Sequence, residues 1–498
     1  MKKYIYLFIT FVAFSMTSCN DWLDVHLETE QKEDEQFSTY EGFCDALTGC
    51  YMTLASQDIY GERLSMTYIE SLANLWYMEE DSETGRQADY DLKSHNYTTT
   101  SAESAIQTMY AGLFNVIAQA NVIIKNVNEK GESVIPNPQE RAIMQGEAYA
   151  IRALCQLDVL RLFGQVPGGS KSVELPYSET TSIDEVPPYY DFDSYVTKLA
   201  DDLQKAEDLL LNNDPVFQYT FKELNSGSSI NIDQFLLYRQ SRMNYWAVKA
   251  LKARMYLYTG QKEKAYQTAM EIINAKLNGN PVMTMSGIDD FTAGYKLCPS
   301  ECLFYLSKYN VMEYSQAFLI GGSTTTQYSP TTHLAITTEM LTELYDGEHI
   351  NSHNRYLNVW NRNVRDGYGQ YKVTTTKYYW DEDNVENAMF YYQIIPMLRM
   401  SEIYLIAIEC TTDLNEANQL YQTYMYAHAV SDMPNFNSFE EINKFILNEY
   451  RREFFVEGQM FYTYKRKNAA SMLWCDHTIN EDTYILPLPT TEYNPNNH

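Results

Sequence analysis

The sequence predicts a mostly α protein in which tetratricopeptide-like helical hairpins scaffold an irregular, loop-rich layer. Three observations lead there. Apolar residues recur at helical spacing in paired stretches that Pro or Gly separates. One such pair repeats, weakly, later in the chain. Between the pairs, residues 280–395 drop the helical pattern and carry many Gly, Thr and Asn together with most of the clustered aromatics.

The chain starts with a short basic head, Met1-Lys2-Lys3, an apolar run of about thirteen residues from Tyr4 to Met16, and Thr17-Ser18 before Cys19. That is the pattern of a secretion signal. The run is too short to span a bilayer, which takes about twenty apolar residues. A small-small-Cys junction suits a lipoprotein signal peptidase, after which Cys19 is acylated. The alternative is a plain secretory peptide in which Cys19 is incidental. Each buried methylene contributes about 0.8 kcal/mol, so several acyl chains hold a domain on a membrane almost permanently. Residues 1–18 are thus expected to be a signal peptide and 19–36 an acidic, solvated tether. Residues 37–498 form a single domain with an N-terminal helical part (37–279), an irregular insert (280–395) and a C-terminal helical part (396–498).

Helices follow in order. Phe37 to Ala55 places Phe43, Ala46, Leu47, Cys50 and Leu54 on one face, and Ala102 to about Val127 does the same with Ile106, Tyr110, Leu113, Ile117 and Ile124. Pro136 and Pro138 break the chain before a helix from Gln139 to Phe163, which Gly164 and Pro167 stop. Asp191 to Leu211 is helical again. Met243 to Thr259 and Lys262 to Leu277 form a second hairpin that turns at Gly260. Ala253 to Tyr258 with Glu263-Lys264-Ala265-Tyr266 can be laid on Ser401 to Ile406 with Asn415-Glu416-Ala417-Asn418. This is the weak repeat, of the kind in which neighbouring helix pairs stack to bury one core. In the insert, Trp360, Tyr368, Tyr371, Tyr378, Tyr379, Trp380 and Phe390-Tyr391-Tyr392 are the densest aromatics. Loops and short strands held by rigid helices commonly present a binding surface.

Removing residues 1–18 leaves 35 basic against 66 acidic side chains, a charge of −31. Such a balance argues against nucleic acid and anionic membrane surfaces as partners. The 43 tyrosines and 6 tryptophans exceed what a core of this size needs, and suit flat faces offered to ligands or partners as well as helix seams. Of eight cysteines, Cys155 and Cys410 fall in apolar helical patterns, and Cys44/Cys50 and Cys298/Cys302 are possible pairs.

Signatures of catalysis are missing: there is no zinc-protease His-Glu pair at helical spacing, no nucleophile elbow and no phosphate-cradling loop. No cofactor or metal is expected. His349 and His353 follow Glu348 at a spacing that suits a metal on a helix, but Asn351 and Ser352 argue for a loop. Glu449, Glu453 and Glu457 stand at i, i+4 and i+8, and paired carboxylates are what glycoside hydrolysis requires. Arg451, Arg452, Lys465 and Arg466 lie nearby, which favours a salt-bridged structural helix.

Several blocks in chain order resemble the SusD/RagB family of surface lipoproteins, which capture nutrients for a SusC-type TonB-dependent outer-membrane transporter. They are Ser18 to Asp24; Tyr110, Ile117 and Asn121; Gly146-Glu147-Ala148; Ile151-Arg152-Ala153; Leu160 to Pro167; Leu398 to Ala407; Arg452-Glu453 with Glu457-Gly458 and Arg466; and Leu486-Pro487-Leu488-Pro489 with Glu492 and Asn494. Met460 and Thr463 depart from it, where many members carry an Arg and an Asp. Loss of both members of an ion pair orphans no charge, so the helix is expected to stay intact. The resemblance implies a SusD-like fold without enzyme activity, anchored through Cys19 on the outer face of the outer membrane. It implies a glycan or oligosaccharide as ligand, with a peptide as the variant within the family, and a SusC-like partner on the helical side. Ligand contacts are implied by region, in Asn74 to Arg86 (Trp76, Tyr77, Asp81, Arg86) and in Tyr295 to Trp380 (Trp360, Tyr378, Tyr379, Trp380). A surface glycosidase using Glu453 and Glu457, and an adhesin-type lipoprotein, are the rival readings.

Overall fold

A computed structural model describes residues 33–78, 86–182, 184–226, 230–319, 334–346, 351–365, 370–379, 393–431, 433–490 and 492. Residues 1–32, with Cys19, and Asp81, His349 and Trp380 lie outside them. The stretch expected as a free tether ends in a turn of helix, Glu33–Gln36, which is engaged with the domain. Glu33 accepts from Lys125 (3.0 Å) and Asn126 (2.8 Å), and Asp34 from Lys130 (2.7 Å).

Helix α1, Tyr40–Leu54, starts where Thr39 accepts from the Gly42 N–H, and buries Phe43, Leu47, Cys50 and Leu54. Helix α2, Thr100–Val134, runs seven residues past its expected end. Its polar last turns have no apolar stripe to read; α3, Pro138–Phe163, holds them through Gln145 on Asn128 (2.7 Å). Asn137 caps α3 and Pro138, expected to lie just before the helix, occupies its first turn; Gly164 ends it, as the sequence predicts. Helix α4, Phe192–Leu210, covers the opposite side of α3, so α3 is buried on most faces. Arg152 of α3 forks onto Asp202 of α4 (2.6 and 2.7 Å) and reaches Asn121 of α2 (2.8 Å), tying three helices at one buried point.

The second hairpin is α5, Tyr245–Tyr258, and α6, Lys262–Ile273, turned at Gly260 with φ +77°. The expected continuation to Leu277 fails because Lys276-Leu277 pairs with Asn280-Pro281 across Asn278 and Gly279, both at positive φ. Such a dipeptide favours a tight β-hairpin turn over another helical turn. The repeat partner is α7, Met400–Cys410, with α8, Leu414–Ala427. Helix α6 stacks on α7, and Arg254 of α5 forks onto Glu402 of α7 (2.6 and 2.8 Å), so the two pairs share one core.

The insert contributes short strands. β1, Cys302–Ser307, pairs antiparallel with β4, Ile394–Arg399, which runs directly into α7. β2, Trp360–Arg365, pairs antiparallel with β3, Tyr371–Thr375. Helix α9, Phe439–Glu453, and α10, Met460–Arg466, close the helical side. Met460 and Thr463 are buried in an intact α10. Seven cysteines, Cys44/Cys50 and Cys298/Cys302 among them, are free thiols. Among the described residues no helix is long and apolar enough to cross a membrane.

Candidate ligand-facing layer and the ionic hub beneath it

The insert is tied to the helices at the turn between α9 and α10. Helix α9 ends at Glu453, so Glu449, Glu453 and Glu457 do not continue along one helical face: Val456 and Gly458 turn the chain at φ +59° and +71°. Gly458 is required there, because a Cβ would lie 2.2 Å from the Leu64 carbonyl oxygen and the backbone is left-handed. Its N–H donates to Glu70 (2.9 Å), whose carboxyl is pushed by burial up to about 8.

The cations that answer these glutamates come from the insert and from β4, whereas the sequence had pointed to Arg451, Arg452, Lys465 and Arg466. Arg399, at the end of β4, reaches Glu453 (2.6 Å), Glu457 (2.8 and 3.0 Å) and Glu301. Arg355 pairs with Glu453, and Lys377 with Glu457 (2.6 Å) and with the carbonyls of Glu453 (2.7 Å) and Phe455 (3.1 Å). Burial raises the Glu453 pKa, but Arg355 and Arg399 outweigh it and hold the carboxyl well below the usual carboxylate range. Of the four expected cations, Arg452 lies 3.6 Å from Glu449, while Arg466 pairs with Glu409. All three glutamates are buried, out of reach of a polysaccharide.

His353 caps the short helix Asn354–Asn358, accepting from the Arg355 N–H (3.3 Å), and stacks on His428 at 4.9 Å between ring centroids. His428, Glu449 and Glu453 stand close enough to share a cation. Two of the three already meet a side-chain cation, Arg355, which pairs with Glu453 and contacts His428 Nδ1, while Arg452 stands near Glu449.

Three of the aromatics expected to meet ligand turn inward at this hub. Trp76 is 0% exposed, donates its indole N–H to the Met66 carbonyl (3.1 Å) and meets the Phe455 ring edge-on at 5.0 Å. Trp360 packs on Phe455 at 4.9 Å and donates to the Tyr345 hydroxyl (3.3 Å). Tyr378 is buried and donates to the Val456 carbonyl (3.1 Å). Each ring satisfies its one polar atom internally, on Met66, Tyr345 and Val456 respectively, and the two tryptophans pack on Phe455, so the three clamp the 453–458 turn and have no free face for a sugar.

Above the hub, the two regions implied for ligand contact do meet. The Tyr77 N–H donates to the Ala335 carbonyl (2.9 Å), and Ile336 exchanges hydrogen bonds with Val373 of β3 (2.8 and 2.9 Å). A small sheet thus joins the segment after the Tyr68–Leu72 helix to the insert. Half-buried Tyr77 receives the Lys372 ammonium 4.2 Å from its ring centroid, and Arg86 pairs with Asp89 (3.1 Å) and covers the Phe318 ring at 5.2 Å. Tyr379 is half-buried, with Lys296 at 5.6 Å. The most open ring of this sheet is Tyr371, 51% exposed, opposite Arg365 in the β2–β3 register, with the guanidinium 4.4 Å from its centroid. Tyr371 is one of the clustered aromatics of the sequence but is not singled out there as a contact, and Arg365 is not marked at all; pairing across β2 and β3 is what unites them.

The SusD family model matches residues 224–497. A SusD-like protein of Formosa agariphila is 23% identical over 98% of this chain and 97% of its own length. A second from that organism is 22% identical over 53% of this chain and 45% of its own. A SusD superfamily protein of Bacteroides thetaiotaomicron superposes with a TM-score of 0.69 at 19% identity, covering 92% of this chain and 98% of the other. A putative sugar binding protein of Bacteroides vulgatus follows at 0.65 and 18%, covering 92% and 98%, and a laminarin binding SusD-like protein at 0.63 and 16%, covering 91% and 97%. The match of fold, and a family model spanning more than half of the sequence, establish that this chain belongs to the SusD family.

Proposed function

We propose that the protein is a lipid-anchored binding protein of the cell surface that captures a glycan or oligosaccharide and passes it to a SusC-type TonB-dependent outer-membrane transporter. The observation that carries the ligand reading is the Tyr371–Arg365 pair, an open ring beside a fixed guanidinium on the sheet that joins the two implied contact regions. A sugar offers apolar C–H faces to such a ring and hydroxyls to such a cation. The sugar-binding descriptions of two proteins of this fold support it. Tyr77 and Tyr379 extend the surface, whereas Trp76, Trp360 and Tyr378 support it from below. The glycosidase alternative loses its carboxylates to the ionic hub.

The transporter would meet the helical side, where two adjoining grooves of about 790 and 800 Å³ run beside Lys262, Glu409 and Asn443 and share no lining residue with the Tyr371 sheet. Cys19 acylation keeps the two proteins at high effective concentration.

Electrophoresis of the purified protein through gels containing laminarin and other polysaccharides tests the ligand reading. Retardation on at least one gel, lost in Tyr371→Ala and without release of reducing ends, is expected. Unretarded migration on every gel, or full retardation of the variant, overturns it. For the anchor, Cys19→Ala is expected to leave the cell surface and abolish uptake; normal surface display and uptake of that variant would refute the tethered reading.

A further inference from the structure

Away from the Tyr371 sheet, three side chains from the two ends of the sequence meet in one corner. His95 follows the Gln87–Lys93 helix at φ +52°, and Cys475 and His477 lie in the loop after α10. Their ligand atoms all lie within 4.8 Å of one another. His95 Nδ1 is 2.7 Å from His477 Nε2, and Cys475 Sγ lies beside the His477 ring, 3.6 Å from Nε2, 3.5 Å from Nδ1 and 3.5 Å from the His477 carbonyl oxygen.

The hydrogen bonds on the far sides of both rings fix the tautomers. His95 Nε2 lies 2.9 Å from the Leu72 carbonyl oxygen, an acceptor only, so this nitrogen carries the proton and donates. His477 Nδ1 lies 3.1 Å from the Asp476 carboxylate and donates there. Each imidazole has then placed its one N–H elsewhere, and His95 Nδ1 and His477 Nε2 face each other as two lone pairs. Such a contact needs a positive centre between the nitrogens. A carbonyl or carboxylate holding the outer N–H of each ring is also what orients histidines that ligate metals.

We propose that His95 Nδ1, His477 Nε2 and Cys475 Sγ form a site for one borderline-soft divalent transition-metal ion, zinc by preference, with the fourth position open to solvent. Two imidazoles and a thiolate are a zinc donor set. At bond lengths of about 2.05 Å to nitrogen and 2.3 Å to sulfur, a tetrahedral site wants its nitrogens about 3.3 Å apart and sulfur about 3.6 Å from each. Sγ stands 3.6 Å from His477 Nε2 but equally near Nδ1 (3.5 Å), so on binding the Cys475 side chain turns toward the Nε2 side of the ring while the two rings part by roughly half an ångström. On binding, two M–N bonds and one M–S bond form, and the thiol proton passes to solvent. The ion would pin the C-terminal loop to the segment that begins at Leu72 and leads into the Tyr77 strand.

Cobalt(II) titration of the full mature chain tests this directly. The expected result is one equivalent bound, with a thiolate-to-cobalt charge-transfer band and tetrahedral d–d bands that zinc displaces. Cys475→Ser removes the charge-transfer band, and His95→Ala and His477→Ala each weaken zinc binding about a hundredfold or more, while far-ultraviolet circular dichroism stays unchanged. Absence of the bands in the wild type, their retention in Cys475→Ser, or undiminished zinc affinity in both histidine variants overturns the proposal and leaves a proton shared between the imidazoles as the positive centre.

Discussion

The helical scaffold and the insert bury comparable side chains but are held by different means. In α1, α2 and α3 most of the joints are apolar stripes, and the buried ionic contacts are dispersed: Arg152 on Asp202 between α3 and α4, Arg239 on Glu147 of α3 and on Asp214, and Arg254 on Glu402 between α5 and α7. In the insert the strands are five or six residues long and pair two by two, too little sheet to stand alone. Arg355, Lys377 and Arg399 instead fasten it to one turn, 453–458, with Trp76, Trp360 and Tyr378 packed around the same turn. Local sequence suffices to build a helix pair, whereas a layer of loops needs a hub of directional contacts that fixes one geometry.

The hub is therefore where the two regions should separate most sharply. Arg399→Ala leaves Glu301, Glu453 and Glu457 without their shared cation, and truncating one partner of a buried ionic cluster costs about 3–5 kcal/mol. The expected outcome is a large loss in chemical denaturation, with proteolysis inside 280–395 before the helices melt. Trp76→Ala should follow, at about 3–5 kcal/mol, because a fully buried ring and its Phe455 contact are lost. Leu154→Ala, fully buried in α3, costs about 2–5 kcal/mol and is expected to lower the stability of the whole domain without prior cleavage of the insert. Identical cleavage patterns for Arg399→Ala and Leu154→Ala would dissolve the distinction.

That distinction also explains what the sequence could reveal. The helix pairs are legible because burial on one face writes a 3.6-residue period, as at Phe43, Leu47, Cys50 and Leu54, and because Pro138 and Gly164 mark the ends of α3. The insert is visible as a region without that period. Its aromatics, however, carry no sign of direction: Lys372, Val373, Thr374 and Thr375 are all buried, so β3 lacks the alternation that separates an inner from an outer face. Trp76 and Trp360 fall in the two regions that the family resemblance implies, yet their packing partner, Phe455, lies far off in sequence. The carboxylates at 449, 453 and 457 are visible as a cluster, but their cations are not, because Arg355, Lys377 and Arg399 reach them only through the tertiary fold.

An effect with a pH signature is expected at Glu70 under the same turn. Its carboxyl, next to Lys377 and Glu457, titrates near 8 in the folded protein because it is buried, against 4.5 as its ordinary value. The folded state thus holds this proton more tightly than the unfolded chain. The associated stability is complete below about pH 4.5 and is lost as pH rises through 8, a change of at most about 5 kcal/mol for a pKa moved from 4.5 to about 8. Glu70→Gln keeps an acceptor for the Gly458 N–H while removing the titration. Denaturation midpoints between pH 5 and 9 should fall in the wild type and stay flatter in the variant; parallel profiles would assign the pH dependence to other groups.

The smallest stability effect and the largest functional one are expected to coincide at Tyr371. Half of its surface is already in water and its charged contact, Arg365, is exposed as well, so neither Tyr371→Ala nor Arg365→Ala should move the unfolding free energy by more than about 0.5 kcal/mol. Both are expected to weaken retardation on the polysaccharide that retards the wild type. Trp76→Ala would reach the same loss of retardation by another route, since it loosens the turn that carries the layer and so lowers stability together with binding. Measuring the melting temperature and gel mobility of the three variants in parallel separates the open ring from the buried one. If Trp76→Ala lost binding at full stability while Tyr371→Ala bound normally, the inward and outward assignments of these two aromatics would have to be exchanged.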